Sequence, residues 1–131
     1  MASILLVEDD EHLRPMLKLV LERAGHQVQE AGNGNEALEI YNRHPADLVV
    51  TDLVMPDKEG LETIRELRRI DPDVKIIAMS GGGRTGIKNY LEMAKSFGAD
   101  HILAKPFSNQ EILDSIQLVI PPENAYRPSD G

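Results

Sequence analysis

Acidic, hydroxyl and amine side chains occur in this chain at the points where short apolar runs end. Glu8 and Asp9 directly follow one such run, Asp52 closes a second, and Ser80 and Lys105 follow two others. Carboxylates held together repel one another, by about 4 kcal/mol for two unit charges ~4 Å apart at an effective dielectric of about 20. Mg²⁺ removes this repulsion, because it prefers carboxylate oxygens and water as ligands. These residue types therefore indicate a cation site with a lysine and a hydroxyl beside it, suited to receive an anion.

The stretch from Asp47 to Pro56 carries the acid that we interpret as the reactive group. Its first half is apolar and rich in β-branched residues, which is typical of a buried strand. Asp52 ends that run, and Pro56 soon afterwards prevents the strand from continuing. Open α/β folds place their ligand sites at the carboxyl ends of buried strands. We therefore predict that Asp52 is the reactive carboxylate.

The remaining apolar runs predict the elements that position these side chains. Strands are predicted over 4–7, 26–31, 47–52, 74–79 and 101–104, and helical stripes over 13–24, 37–41, 61–70, 87–97 and 112–120. A strand–helix alternation repeated five times favours a parallel sheet between two helical layers, with right-handed crossovers. All strand ends that carry the polar residues then lie at the same edge of the sheet.

Local signals predict several boundaries of these elements. Gly25 is expected to cap the end of the first helix, and Asn33–Gly34 to turn the chain. Asp10 is expected to be the N-cap of the first helix, where its carboxylate satisfies free N–H groups. Pro15 is expected to delay or distort the start of that helix, since proline lacks the N–H that a helix interior requires.

Composition restricts the class of protein. The chain has 131 residues, 41% of them apolar and 27% charged, which is ordinary for one globular domain. No apolar run approaches the ~20 residues of a membrane span, no signal peptide is apparent and there is no cysteine, so we expect a cytoplasmic protein. The net charge of −8 disfavours direct binding to nucleic acid or anionic lipid. Residues 121–131 are polar and proline-rich and are expected to form a disordered tail after a domain spanning 1–120.

Four separated motifs give the chain its resemblance to a known family. They are Leu6–Asp10 (LVEDD), Val49–Pro56 (VVTDLVMP), Ala78–Gly81 (AMSG) and Leu103–Phe107 (LAKPF). Their order and their places at strand ends resemble the receiver domain of two-component response regulators over about residues 3–120. The resemblance implies a flavodoxin-like, CheY-like fold, in which a doubly wound sheet of five parallel strands forms the middle of a three-layer sandwich.

The resemblance also implies a role for each residue at the strand ends. Asp52 is expected to accept a phosphoryl group from a phosphohistidine of a histidine kinase or histidine phosphotransfer protein. Glu8 and Asp9 resemble the acidic pair that holds Mg²⁺ (or Mn²⁺), with Asp52 and the backbone carbonyl of Val54 as further ligands. Lys105 resembles the lysine that contacts the phosphate.

A second group of residues resembles the parts of the family that respond to phosphorylation. Ser80 resembles the hydroxyl switch residue, and the peptide bond to Pro106 is cis in the family. The family usually has an aromatic side chain at the position of Ile102, and Gly81 and Gly82 begin a lengthened glycine-rich loop. We therefore expect ordering of this loop, rather than movement of Ile102, to carry the signal.

The implied function is a phosphorylation-dependent switch in bacterial signalling. Phosphorylation is expected to change the surface that an unknown downstream protein or effector domain binds, and to allow a homodimer to form. The chain is not expected to be an enzyme in the usual sense. Its only predicted reactions are self-catalysed phosphotransfer to Asp52 and autodephosphorylation.

Three alternatives compete with this interpretation. A P-loop nucleotide-binding enzyme needs a lysine directly after its last glycine, where this chain has Ile87. An aspartyl-phosphate phosphohydrolase needs a second aspartate two residues after the nucleophile, where this chain has Val54. A degenerate receiver that acts only as an interaction module is disfavoured by the presence of Asp52, Asp9 and Lys105.

Overall fold

A computed structural model describes residues 2–53, 60–80, 96 and 98–120 of the chain. The strands are β1 Ser3–Val7, β2 Gln27–Ala31, β3 Leu48–Asp52, β4 Lys75–Ser80 and β5 His101–Ala104. The described helices are α1 Leu13–Arg23, α2 Gly34–Arg43, α3 Gly60–Ile70 and α4 Asn109–Val119. Apart from residue 96, the helix predicted over 87–97 lies outside the described residues, as does the tail predicted over 121–131.

The five strands form one parallel sheet in the order β2-β1-β3-β4-β5. The strand that ends in Asp52 is therefore the central one, and all five of its residues are buried. In the register of the sheet, Val7 pairs with Thr51, and Asp52 pairs with Met79. The carboxyl ends of β1, β3 and β4 consequently lie side by side, as the sequence predicts.

Helices cover both faces of the sheet and form two apolar cores. Leu5, Val7, Val49, Ile76 and Ala78 pack with Ala37 and Tyr41 of α2 and with Ile64 and Leu67 of α3. Ile4, Leu6, Leu48, Val50, Ile77 and Met79 pack with Leu17 and Leu21 of α1 and with Ile112 and Ile116 of α4. Successive residues of a strand point to opposite faces, so each buried strand contributes to both cores. Each fully buried aliphatic side chain stabilises the folded state by about 1.5–3 kcal/mol. The two cores therefore hold in place the rim of the sheet, which is the side where the carboxyl ends of the strands lie.

The start of α1 differs from its prediction. The helix begins at Leu13, so Pro15 lies in the first turn, where the missing N–H has no intrahelical partner to lose. The helix thus starts two residues later than an N-cap at Asp10 would place it, which agrees with the late start expected from Pro15. The N-cap position belongs to His12, not to Asp10, but Asp10 Oδ1 accepts hydrogen bonds from the N–H groups of His12 (2.8 Å) and Leu13 (3.0 Å). Asp10 thus satisfies free donors from two residues before the N-cap.

The boundary predicted at Gly25 is confirmed, and the one predicted at Asn33–Gly34 is confirmed in part. Gly25 follows the end of α1 with φ of +98°, a left-handed conformation that favours glycine, as predicted for a helix cap. The chain bends at Asn33 between β2 and α2, as predicted, but α2 already begins at Gly34, and the Asn33 side chain caps it by accepting from Glu36 N–H at 2.9 Å. Met16 and Ile70, which belong to the apolar stripes that predict α1 and α3, are 66% and 46% exposed.

Candidate functional site

Three carboxylates meet at the edge of the sheet where β1 and β3 end. Glu8 and Asp9 follow the last residue of β1, and Asp52 is the last residue of β3. An oxygen from each of the three carboxylates lies within 4.8 Å of the other two. Glu8 and Asp52 are buried and Asp9 is half-buried. The sequence-predicted acids are therefore brought together, and two of them have little water to offset their charge.

Lys105 supplies the positive charge at this cluster. It follows β5, and its backbone N–H donates to the carbonyl of Ser80 at 2.7 Å, which fixes the end of β5 beside that of β4. The Lys105 ammonium donates to Glu8 Oε1 at 2.6 Å and to Asp52 Oδ2 at 3.1 Å. The peptide bond between Lys105 and Pro106 is cis. One ammonium group thus links the acid of the first strand to that of the third.

Burial and the shared cation shift the ionisation of this group of residues. Burial raises the pKa of Glu8 above its ordinary value, although the Lys105 ammonium opposes that shift. Loss of solvent acts to lower the pKa of Lys105, but the hydrogen bond that its ammonium donates to Glu8 and the charge of Asp52 outweigh this effect, so the pKa of Lys105 is raised. A buried carboxylate is costly to ionise unless positive charge lies close to it. The cluster therefore favours the binding of a metal cation beside the Lys105 ammonium.

Local hydrogen bonds hold Glu8 in position. Its second carboxylate oxygen, Oε2, accepts from Asp10 N–H at 3.2 Å, and its backbone N–H donates to Ala31 at 3.0 Å, extending the pairing with β2. Its backbone carbonyl accepts from the Arg14 guanidinium at 2.7 Å, and Arg14 also lies 3.6 Å from Glu30. Arg14 was not predicted from the sequence. The available signal is its place in the first turn of α1, where a cation is unfavourable towards the helix dipole unless it has partners such as these.

Ser80 and Ile102 lie on the neighbouring strands β4 and β5. Ser80 is the last residue of β4, is buried and pairs with Ala104 in the sheet register. Since Asp52 pairs with Met79, Ser80 extends one residue further along the rim. Ile102 pairs with Ala78 and packs, partly buried, against the core under α2 and α3.

Part of the predicted site lies outside the residues that the structure describes. These positions are the Val54 carbonyl, predicted as a metal ligand, and Gly81 and Gly82, predicted as the loop that responds to phosphorylation. The described donor set consists of three carboxylates with one adjacent ammonium. Hard, negatively charged oxygen donors in a small cluster fit the ligand preference of Mg²⁺.

Residues 4–117 match the family model of the response regulator receiver domain, which covers most of the chain. Among curated proteins, the chemotaxis protein CheY of Thermotoga maritima is 36% identical over 117 residues, which are 88% of this chain and 95% of that protein. The chain belongs to the response regulator receiver domain family of two-component systems. Receiver domains of this family typically bind Mg²⁺ and interact with histidine kinases and phosphotransfer proteins.

Solved structures give the same fold. The chemotaxis protein CheY4 of Vibrio cholerae superposes with a TM-score of 0.83 at 29% identity, covering 92% of this chain and 99% of that one. The response regulator TrrA of Thermotoga maritima, solved in complex with Mg²⁺ and BeF, has a TM-score of 0.80 at 32% identity, covering 92% of this chain and 100% of its own. The predicted flavodoxin-like α/β fold is therefore confirmed. Among the described helices, none has both the length and the apolar character required to cross a bilayer.

Proposed function

We propose that this receiver domain is a phosphorylation-dependent switch whose Asp52 accepts a phosphoryl group in a Mg²⁺-dependent reaction. The observation that carries the proposal is the position of the Asp52 carboxylate, buried at the end of the central strand with the Lys105 ammonium at 3.1 Å. Glu8 and Asp9 complete the acidic cluster around it. The phosphodonor is a phosphohistidine on a histidine kinase or on a histidine phosphotransfer protein.

The proposed reaction is an in-line displacement at phosphorus. An oxygen of the Asp52 carboxylate attacks the phosphorus atom, the new O–P bond forms, and the P–N bond to the donor imidazole breaks. The imidazole nitrogen keeps the electron pair of the broken bond and takes up a proton. Glu8, Asp9 and Asp52 would hold Mg²⁺, which supplies neutralisation of the charge on the phosphoryl group when bound.

Lys105 has two functions in this proposal. Before the reaction its ammonium offsets the negative charges of Glu8 and of Asp52, the attacking carboxylate. After the reaction Asp52 carries the phosphoryl group, and the same ammonium is within reach of the new oxygens. Because its charge is fixed in place before the group arrives, little reorganisation is required.

The product acyl phosphate acts on the neighbouring strand. Its oxygens accept a hydrogen bond from the Ser80 hydroxyl and so bias a two-state surface that a downstream protein, an effector domain or a second copy of the domain binds. The chain catalyses only its own phosphorylation and dephosphorylation. Water then hydrolyses the acyl phosphate and returns Asp52 to its carboxylate form.

Mass spectrometry after incubation with acetyl phosphate and Mg²⁺ tests the proposal. Wild type should gain about 80 Da, the mass of one phosphoryl group, and Asp52→Asn should gain nothing because an amide is not a nucleophile. Asp10→Asn is the matched control, since Asp10 lies next to the acidic pair but is not part of the cluster. It should label as wild type does. Labelling of folded Asp52→Asn, or none of wild type, would contradict the proposal.

A further inference from the structure

Gly60, the first residue of α3, packs against the backbone of the strand that carries Asp52. Its N–H donates to the carbonyl of Leu53 at 2.9 Å, and the residue is buried. The start of α3 is thus in direct contact with the end of β3, with no side chain between the two backbones.

Any side chain at this position would collide with that backbone. A Cβ built on Gly60 would lie 2.6 Å from Leu53 Cα and 2.9 Å from the carbonyl carbon of Asp52, and it would overlap the Asp52 carbonyl oxygen. Carbon atoms in contact are normally about 3.5–4.0 Å apart. The colliding atoms belong to the main chain, so no rotamer change can relieve the contact.

The end of β3 is held tightly by other contacts. Asp52 pairs with Met79 of β4, and the Leu53 N–H donates to the Met79 carbonyl at 3.0 Å. The helix is held too, because Ile64 and Leu67 of α3 are fully buried in the core. A side chain at Gly60 therefore has to displace either the Asp52–Leu53 backbone or the start of α3.

We propose that Gly60 is a positioning residue for the Asp52 carboxylate. By allowing α3 to seat directly on the Asp52–Leu53 backbone, it fixes the carboxylate at its 3.1 Å distance from the Lys105 ammonium and within the acidic cluster. The inference rests on the proposed phosphorylation of Asp52. A misplacement of about 1 Å costs on the order of 10²-fold in rate when reacting groups must be aligned.

Gly25 provides a matched control for the substitution. A Cβ on Gly25 would meet nothing within 4 Å, but its φ of +98° disfavours any other residue. Gly25→Ala should therefore lower stability through backbone strain at the end of α1, far along the chain from the rim residues. Gly60→Ala should lower stability as well, but through displacement at the site itself.

The experiment compares the two variants with wild type by denaturation, calorimetry and phosphorylation kinetics. At saturating acetyl phosphate and Mg²⁺, Gly60→Ala should have a limiting phosphorylation rate about 10²-fold lower per folded molecule. Its Mg²⁺ dissociation constant should rise several-fold, and the amide resonances of Asp52 and Leu53 should shift. Gly25→Ala should match the wild-type limiting rate and Mg²⁺ affinity despite its lower stability.

Each remaining outcome overturns the inference. A wild-type limiting rate and Mg²⁺ affinity in folded Gly60→Ala would show that the contact serves stability alone, and equal losses in both variants would show a general effect of destabilisation. If Gly60→Ala is unfolded, the measurements are repeated with trimethylamine N-oxide, which favours compact states, and failure to fold there also overturns it. Failure of the proposed function is distinguishable, since wild type would then take up no phosphoryl group while Mg²⁺ binding still reports on Gly60.

Discussion

Lys105 is the residue on which the balance of charge at the rim depends. Replacing it by methionine keeps most of the side-chain volume but leaves Glu8 and Asp52 buried without their shared cation. Leaving a buried polar group without its hydrogen-bond partner costs about 1–3 kcal/mol, and more when the group is charged. Without metal, Lys105→Met should therefore be less stable than wild type by at least about 1 kcal/mol.

Urea denaturation with and without Mg²⁺ measures this effect. Mg²⁺ should stabilise Lys105→Met more than it stabilises wild type, because the cation then relieves repulsion that the lysine no longer offsets. Lys75→Met, at an exposed position on β4, removes the same charge away from the rim and should behave as wild type does. Equal Mg²⁺ effects in wild type and Lys105→Met would refute the role assigned to the lysine.

The positions of some residues of the site follow from the strand ends alone, and those of others do not. Glu8, Asp9, Asp52 and Lys105 could be predicted because parallel strands place their carboxyl ends at one edge, whatever the details of packing. Gly60 could not, because its contact depends on how closely two backbones approach. A glycine at the start of a helix gives no signal of such an approach in the sequence.

At the scale of elements, Tyr41 ties α2 to the loop that joins α3 to β4. Its side chain is 1% exposed, and its hydroxyl donates to Asp71 Oδ2 at 2.7 Å. Burial and this hydrogen bond raise the pKa of Tyr41, and the same hydrogen bond lowers the pKa of Asp71. A hydrogen bond whose strength depends on pH thus joins α2 to the residue that follows α3.

Tyr41→Phe should reveal that dependence at both ends of the pH range. The lowered pKa of Asp71 contributes stability that is present above its ordinary value of 3.8 and is lost as pH falls through the folded-state value. The raised pKa of Tyr41 contributes stability that is present below 10.0 and is lost as pH rises above it. The phenylalanine variant should melt a few degrees below wild type near neutral pH.

Melting followed by circular dichroism over a range of pH tests this expectation. The difference in melting temperature between wild type and Tyr41→Phe should narrow at both pH extremes. Asp71→Asn retains an acceptor for the Tyr41 hydroxyl but cannot ionise. When both proteins also carry this substitution, the difference in their melting temperatures should no longer narrow at acid pH. A difference that stays constant from acid to alkaline pH would contradict the assignment.

Helix starts were predicted less well than strands, for a physical reason. Buried strands are marked by continuous apolar runs, which left little freedom in placing β1, β3 and β4. A helix start depends on which polar side chain reaches the free N–H groups. Asp10 does so from before the N-cap and Asn33 does so as the N-cap itself, yet in sequence both are polar residues near a turn.

At the scale of the whole molecule, the acidic cluster adds local repulsion to a chain whose net charge is −8. A ligand that binds only the folded state stabilises it by about 2.7 kcal/mol when its concentration is 100 times its dissociation constant. Mg²⁺ should therefore raise the free energy of unfolding of wild type, and the increase should grow with concentration. The same salt also screens the overall charge, so a comparison at constant ionic strength is necessary.

Asp9→Ala separates binding at the cluster from screening of the whole chain. It removes one of the three clustered carboxylates and should lose the Mg²⁺-dependent gain, while its stability without metal should equal or exceed that of wild type because repulsion is relieved. Asp10→Ala changes the net charge by the same amount outside the cluster, so it should keep the gain in stability on adding Mg²⁺, although it loses helix-start hydrogen bonds. Denaturation at fixed ionic strength, with NaCl replacing MgCl₂, provides the measurement. If wild type unfolds identically in both salts, or if Asp9→Ala gains as much from Mg²⁺ as wild type, the cluster does not bind the cation.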